Sequence, residues 1–172
     1  IQDSELDSNR TEMYLAERKR KKELSSKSNL EDYYNSLGIE ARVGIMDLSD
    51  LPRVAQLTQK TNQFNLTTIR YAEQDIEALS KSKDSDILTL KANDKFGAYG
   101  LIGVAVLRYS ENTLIIDSFL LSCRAIGRGL EVVLLEECIN QAHNKKMKLV
   151  SGLFSKTQKN SQVEYFFDNH GF

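Results

Sequence analysis

Proline is nearly absent from this chain, cysteine is rare, and no apolar run is long enough to span a bilayer. Each scarcity excludes something. The single proline, Pro52, leaves the rest of the chain free to form regular elements. The two cysteines, Cys123 and Cys138, fit no metal-ligand spacing and no disulfide framework, so free thiols in a cytoplasmic setting are expected, with no metal. The opening Ile1-Gln-Asp-Ser-Glu5 has no signal-peptide character, and without an initiator Met the chain is expected to be a fragment or a processed piece. A net charge of −1 gives no overall electrostatic case for a nucleic-acid or membrane partner. No internal repeat is present. What is there is ordinary: 172 residues, 41% hydrophobic and 27% charged, enough for one domain with a real core and a small appendage.

The most informative stretch is Thr113–Ala142. Thr113–Leu121 is apolar and β-prone enough for a buried strand. After Ser122-Cys123-Arg124-Ala125-Ile126-Gly127-Arg128-Gly129 the period changes, and Leu130, Val133, Leu134, Cys138 and Ala142 mark one helix face. A strand therefore runs through a short glycine-bearing turn into a helix. The first-turn amides of a helix lack internal partners and sit at its positive end. With no Cβ on Gly127 and Gly129, main chain there can approach a phosphate or pyrophosphate, and Arg124 and Arg128 are placed to add charge-assisted bonds. The plainer alternative is that the glycines only allow strand and helix to pack closely. No Gly-Lys-Ser/Thr follows, which excludes a P-loop, and Val132 stands where a dinucleotide fingerprint needs a third glycine. The spacing Arg124-x-x-Gly127-x-Gly129 resembles the acyl-CoA pyrophosphate loop of GNAT-type acyltransferases.

Along the rest of the chain, Asn9-x-x-Glu12 predicts a helix through about Leu24. Its run Arg18-Lys19-Arg20-Lys21-Lys22 wraps it all round with like charge, which predicts a solvated linker helix or a docking patch for an acidic partner. Ser28-x-x-Glu31 forms a capping box for a short helix with Leu30, Tyr33, Tyr34 and Leu37 on one face, stopped by Gly38. A strand over Ala41–Leu48 leads into a helix capped by Ser49 or Asp50, with Pro52 in its first turn and Leu51, Val54, Ala55 and Thr58 inward. Lys60–Thr68 is a polar run with one buried-looking residue, Phe64, and predicts a loop. A helix with Ile69, Ala72, Ile76 and Leu79 follows, then strands over Asp86–Lys91, Tyr99–Tyr109 and Thr113–Leu121 joined by short turns. Met147–Leu153 predicts one more strand, and Ser161-x-x-Glu164 a last helix with Val163, Phe166 and Phe167 inward.

The resulting order, β-α-α-β-β-β-α-β-α, predicts an α/β fold: a GNAT-like, mixed, mostly antiparallel sheet with helices on both faces, preceded by an N-terminal helical linker. Residues 1–40 are expected to be the linker and 41–172 the GNAT-like domain, without the last two strands such a fold normally carries.

Several stretches carry a narrower resemblance: Arg53–Thr68 with its Lys-Thr-Asn-Gln-Phe-Asn segment, Asp94–Gly103, Asp117–Glu131 with its Ser-Cys-Arg segment, and Gly171-Phe172. Together they resemble the C-terminal region of FkbH-like proteins, also called HAD-superfamily subfamily IIIC proteins. The resemblance covers nearly the whole chain, and Asn9–Lys22 resembles the linker that leaves the family's N-terminal HAD-like domain. That domain is then an expected partner, on the same polypeptide upstream of Ile1. The resemblance implies transfer of an acyl or glyceryl group in polyketide-type biosynthesis, with an acyl carrier protein as partner. It also implies a phosphopantetheine arm, shared by CoA and carrier, held through Arg124, Ala125, Ile126, Gly127, Arg128 and Gly129.

Acyl transfer needs a nucleophile or its path, a proton acceptor and a donor to the leaving thiolate. Many GNAT enzymes place a donor tyrosine just before a final Gly-Phe; here Phe167 aligns with it, and a phenyl ring gives no proton. Tyr165, two residues away on a helix, faces elsewhere. Cys123, beside arginines at a helix start, sits where a thiolate is favoured and is a candidate acyl acceptor; its other reading is a small buried thiol at a strand end. Asp117 is a candidate general base or a ligand for a neighbouring loop. Thr61, Asn62, Gln63 and Asn65 are candidates for the acceptor side or for turn stabilisation. Three functions remain open at this point: an acyltransferase half, a non-catalytic module that docks a carrier protein, and a small-molecule N-acetyltransferase using acetyl-CoA.

Overall fold

The computed structural model describes the backbone of residues 2–172 and the side chains from Ser8 onward. The chain forms two compact units. One comprises the residues up to Arg42 together with Lys91–Gly100; the other comprises Val43–Leu90 and Leu101–Phe172.

In the first unit, helix α1 spans Gln2–Ser26 and α2 spans Leu30–Leu37. The basic run of α1 is not solvated all round. Arg20, at its centre, is 3% exposed. Its guanidinium donates to Asp94 twice, from Nε at 2.7 Å and Nη2 at 3.0 Å, and to the carbonyl of Gly97 at 3.1 Å. It also lies 4.0 Å from the centre of the Tyr99 ring, whose hydroxyl donates to Asp94 at 2.6 Å. The like-charge argument fails for one side chain of five because a carboxylate 74 residues away offsets its burial. Ala16, one turn earlier, lets the helix approach the 94–97 turn closely: a Cβ on Gly97 would stand 3.4 Å from that of Ala16. The α2 cap is Asn29 rather than Ser28, its side chain accepting from Asp32 N at 2.8 Å, and Gly38 ends the helix at φ 60° as expected.

In the chain as a whole, β1 (Glu40–Ile45), β2 (Ser85–Asp94), β3 (Gly97–Ser110), β4 (Thr113–Leu121) and β5 (Leu149–Gly152) form a mixed, mostly antiparallel sheet in sequential order. Between β1 and β2 lie a 3₁₀ turn (Leu48–Asp50), α3 (Leu51–Lys60) and α4 (Glu73–Lys81). Helix α5 (Leu130–Asn144) joins β4 to β5, and a 3₁₀ turn (Ser161–Val163) precedes the short α6 (Phe166–Asn169). The element order is the one periodicity predicts, although the last capping box opens a single 3₁₀ turn rather than a helix. Near the start of β2, the Asp86 carboxylate accepts from the Tyr109 hydroxyl at 2.7 Å.

The core of the second unit gathers Val54, Ala55 and Leu57 of α3, Ile76 of α4, and Ile87, Val104, Val106 and Leu120 from the strands. α5 packs against β4 and β5. Its inward side is Leu130, Leu134, Leu135, Cys138 and Ala142, so Leu135 is buried where Val133 was expected. Strands β3 and β4 pair antiparallel from Gly103↔Leu121 to Ser110↔Thr113, but Val106 faces Ser118 and Leu107 faces Ile116. Asp117 is thus the extra residue of a β-bulge, which bends β4 and re-aims its end. Strand β5 pairs parallel with β4 only from Thr113↔Leu149 to Ile116↔Gly152. Past the bulge the two part, and β5 no longer pairs with that edge of β4.

Candidate functional site

The carboxyl end of β4 meets three loops. Its own continuation makes one 3₁₀ turn, Cys123–Ala125, and then uses two left-handed residues, Gly127 at φ 83° and Gly129 at φ 75°. Gly129 caps α5, and a Cβ built on it would meet nothing within 4 Å, so that side of the helix start is open. Glu131 in the first turn of α5 sets a negative charge against the helix dipole there. Ala125 is buried while Cys123 is exposed. A third arginine belongs to this neighbourhood: Arg53 of α3 has its guanidinium pKa lowered by burial and then by repulsion from Arg124. Nothing in the sequence pattern singled out Arg53, since its proximity to Arg124 exists only in the fold.

Cys123 lines an open cleft of about 550 Å³ with Lys60, Asn62 and Gln63 from the α3–α4 loop and Gln158 and Lys159 from the segment before α6. Its Sγ is 4.0 Å from Gln63 Oε1, the reach of a weak S–H donation. Asn62 and Gln63 are thereby brought to the thiol. Thr61 and Asn65 are not: both are buried and serve the loop itself. Asn65 donates from Nδ2 to Thr61 O at 3.1 Å and accepts from Thr68 N at 2.9 Å. Thr68 is held at φ 56°, a left-handed conformation unusual for a β-branched residue. Arg70 clamps the same loop, donating to the carbonyls of Thr58 and Thr61 and to Asn62 Oδ1.

Asp117 is 9% exposed and its carboxylate is engaged on both oxygens, accepting from the Tyr71 hydroxyl and pairing with Arg108 Nε at 3.3 Å. Burial, followed by the Asp117 hydrogen bond, raises the Tyr71 phenol above its ordinary value. Thr67 Oγ1 donates to the Asp117 carbonyl at 3.0 Å and bonds Ser118 Oγ at 3.2 Å. The bulge is therefore tied to the 67–71 segment by side chains from both partners.

The open edge of β4 is occupied by the chain itself. Leu66 N donates to Phe119 O at 3.0 Å and Leu121 N donates to Phe64 O at 2.9 Å, with Asn65 bridging Leu120 in antiparallel sense. On its other side this segment is met by the chain beyond β5: Ser155 N donates to Leu66 O at 2.8 Å and Asn160 Nδ2 to Asn65 O at 2.9 Å. The glycine turn is open on the side of Gly129, but the residues do not fit an extended arm laid along this edge of β4, because the backbone groups it would use are already paired.

Phe167 is 8% exposed and packed among aromatic rings, with Phe166 at 5.4 Å, Phe172 at 5.0 Å and Phe119 at 6.5 Å between centres. Tyr165 is 63% exposed and points away from that cluster's interior. Among the described residues no group of three His, Cys, Asp or Glu is arranged to hold a metal, and no helix is long and apolar enough to cross a membrane.

No protein-family model and no curated protein matches the chain. Solved structures do. The ribosomal-protein-S18-alanine N-acetyltransferase from Escherichia coli aligns with a TM-score of 0.58 at 13% identity, over 77% of each chain. Glucosamine-6-phosphate N-acetyltransferase from Arabidopsis thaliana gives 0.56 at 14% identity, over 77% of this chain and 91% of that one. An aminoglycoside N-acetyltransferase in complex with CoA gives 0.57 at 14% identity, over 78% and 89%. At such identity it is the fold that is shared. The chain has a GNAT-like fold, with a mixed five-stranded sheet, flanking helices and an N-terminal helix.

Proposed function

We propose that this chain is the acyl-transfer part of an FkbH-like protein. In this reading residues 1–40 lead from an HAD-like domain, and residues 41–172 receive or deliver an acyl or glyceryl group carried as a pantetheine thioester on an acyl carrier protein. The observation that carries the reading is the exposed thiol of Cys123 on the wall of a polar cleft where β4 ends. The other cysteine is no competitor: Cys138 is buried in α5, and burial, then the nearby Glu137 charge, push its thiol far up.

The chemistry is thioester exchange. The Cys123 thiol, exposed to solvent, gives up its proton to water, and its sulfur attacks the donor carbonyl carbon. The tetrahedral adduct then collapses as the donor's carbon–sulfur bond breaks. The departing sulfur takes a proton and leaves as a free thiol, and the acyl group stays on Cys123. Lys60 and Lys159 in the cleft set a local positive field that steadies the negative charge developing on the donor's carbonyl oxygen. Asp117 acts here by position rather than as a free base, because both of its oxygens are held by Tyr71 and Arg108.

The test is intact-mass spectrometry of the chain mixed with an acyl-S-carrier protein. An acyl adduct that maps to Cys123, is lost in Cys123→Ala and persists in Cys138→Ala is the expected result. Phe167 in place of a proton-donating tyrosine favours a second reading, a module that only docks the carrier. Saturable carrier binding with no adduct would select that reading.

A further inference from the structure

A strand edge left open beside a parting neighbour is a ready site for an extended, amide-bearing ligand, which adds to it through ladder hydrogen bonds. In this chain the fork between β4 and β5 has that shape, but Phe64–Leu66 already sits in it, bonded to Phe119 and Leu121 on one side and to Ser155 and Asn160 on the other. Leu66 and Asn65 are fully buried and Phe64 nearly so. Expelling the segment would expose both apolar side chains and break the four hydrogen bonds it makes to Phe119, Leu121, Ser155 and Asn160. The Thr67 bonds to Asp117 and Ser118, the Arg70 clamp and the Asn160 side chain, which also donates to Ser155 O at 2.9 Å, all hold it in place. The cleft with Cys123 opens outside this plug, between Asn62 and Gln63 just before it and Gln158 and Lys159 just before Asn160.

We propose that Phe64–Leu66 is the resident occupant of the fork, so that a thioester donor reaches Cys123 end-on from the cleft and gains nothing from a long arm or a nucleotide beyond its first amide. The specificity is thus for the short reacting end of a pantetheine thioester, with Asn62, Gln63 and Gln158 meeting its amide. This rests on the acyl-transfer reading for the donor, but the occupancy of the fork is tested apart from it.

Loading of Cys123 in the full chain is to be followed with the acetyl thioesters of N-acetylcysteamine, pantetheine and CoA. The three rate constants are expected to agree within about threefold, because interactions absent from the site contribute nothing to transition-state binding. Saturable loading by acetyl-CoA ten or more times faster than by the shortest thioester would overturn the proposal. Amide hydrogen exchange at Leu66 gives a second readout that needs no acyl transfer. Leu66 N is expected to stay protected with millimolar CoA present, and deprotection on adding CoA would mean that the arm displaces the plug. Thr67→Val and Asn160→Ala each remove bonds that pin the segment, and each is expected to speed Leu66 exchange by about tenfold or more. Unchanged exchange in both variants would overturn the claim that these contacts keep the fork filled. Protected Leu66 with no loading of Cys123 would leave the fork proposal standing and sink the acyl-transfer reading alone.

Discussion

Gly152 shows how one residue's size is set by a side chain far along the chain. A Cβ on Gly152 would stand 2.5 Å from ring atoms of Phe167, so only glycine lets that ring pack against the last paired position of β5. Gly152→Ala is therefore expected to cost about 1–3 kcal/mol, by forcing the ring cluster off its packing. Urea unfolding monitored by far-UV circular dichroism checks this, and an unchanged midpoint would mean that the aromatic cluster gives way freely. The same packing accounts for a phenyl at this position: the ring serves as core beside Phe166 and Phe172. Both facts were half visible in the sequence. Phe166 and Phe167 were legible as inward-facing from their spacing, whereas their dependence on Gly152 needs the fold. Cys123 was legible as a candidate, but its exposure, which separates it from Cys138, was not. Its neighbours Gln158 and Lys159 lie in a stretch with no periodic signal at all.

Helix α1 carries the clearest case of an element whose role depends on a distant partner. Arg20 and Asp94 form a buried pair with two hydrogen bonds, further held by Tyr99 and by the amides of Phe96 at 2.9 Å and Gly97 at 3.2 Å. Removing one partner leaves a buried charge, so Arg20→Met is expected to destabilise the first unit by about 3–5 kcal/mol, while the double change with Asp94→Asn recovers part of that loss. A double-mutant cycle on the α1 amide-exchange free energies measures it. The pH dependence has a definite sign. Burial alone would raise the Asp94 carboxyl, but the bonds from Arg20, Tyr99 and Phe96 outweigh it, and the net pKa is lowered. A lowered carboxylate contributes stability in full above its unfolded value and loses it as pH falls through the folded value. The α1 amides are therefore expected to lose protection below about pH 4, and Asp94→Asn should flatten that dependence. None of this was legible from the basic run, which taken alone predicts a helix solvated on every side. The elements with local signals fared differently. β4 begins and ends where its apolar run does, α2 stops at Gly38, and the α5 face appears with one substitution of Leu135 for Val133. The Phe64–Leu66 segment lacked such a signal, because a polar run with two apolar residues resembles a loop until the edge of β4 is known to be free.

At the scale of the whole chain, the sequence alternates between the two units: residues 91–100 leave the second unit in mid-hairpin and return to it through β3. Each unit has its own interior, the first around Ala16, Arg20, Tyr33, Leu37 and Tyr99, the second around the cluster from Val54 to Leu120. The first interior is small and partly ionic, the second is apolar and tightly packed. Gly103 marks that density, since a Cβ there would touch Leu90 at 3.0 Å and Leu121 at 3.2 Å. Cooperative units opened by exchange follow such interiors rather than the order of the chain. Native-state hydrogen exchange in increasing denaturant is therefore expected to give two classes of amide. The slowest should lie in the paired stretches Gly103–Leu107 and Ile116–Leu121, opening only with the second unit as a whole. The α1 amides from Ala16 to Leu24 should open at lower free energy, through loss of the Arg20 pair alone, and Arg20→Met should lower only this class. A single isotherm shared by both sets would mean that the chain melts as one body, and that the ionic interior of the first unit is no separate source of stability.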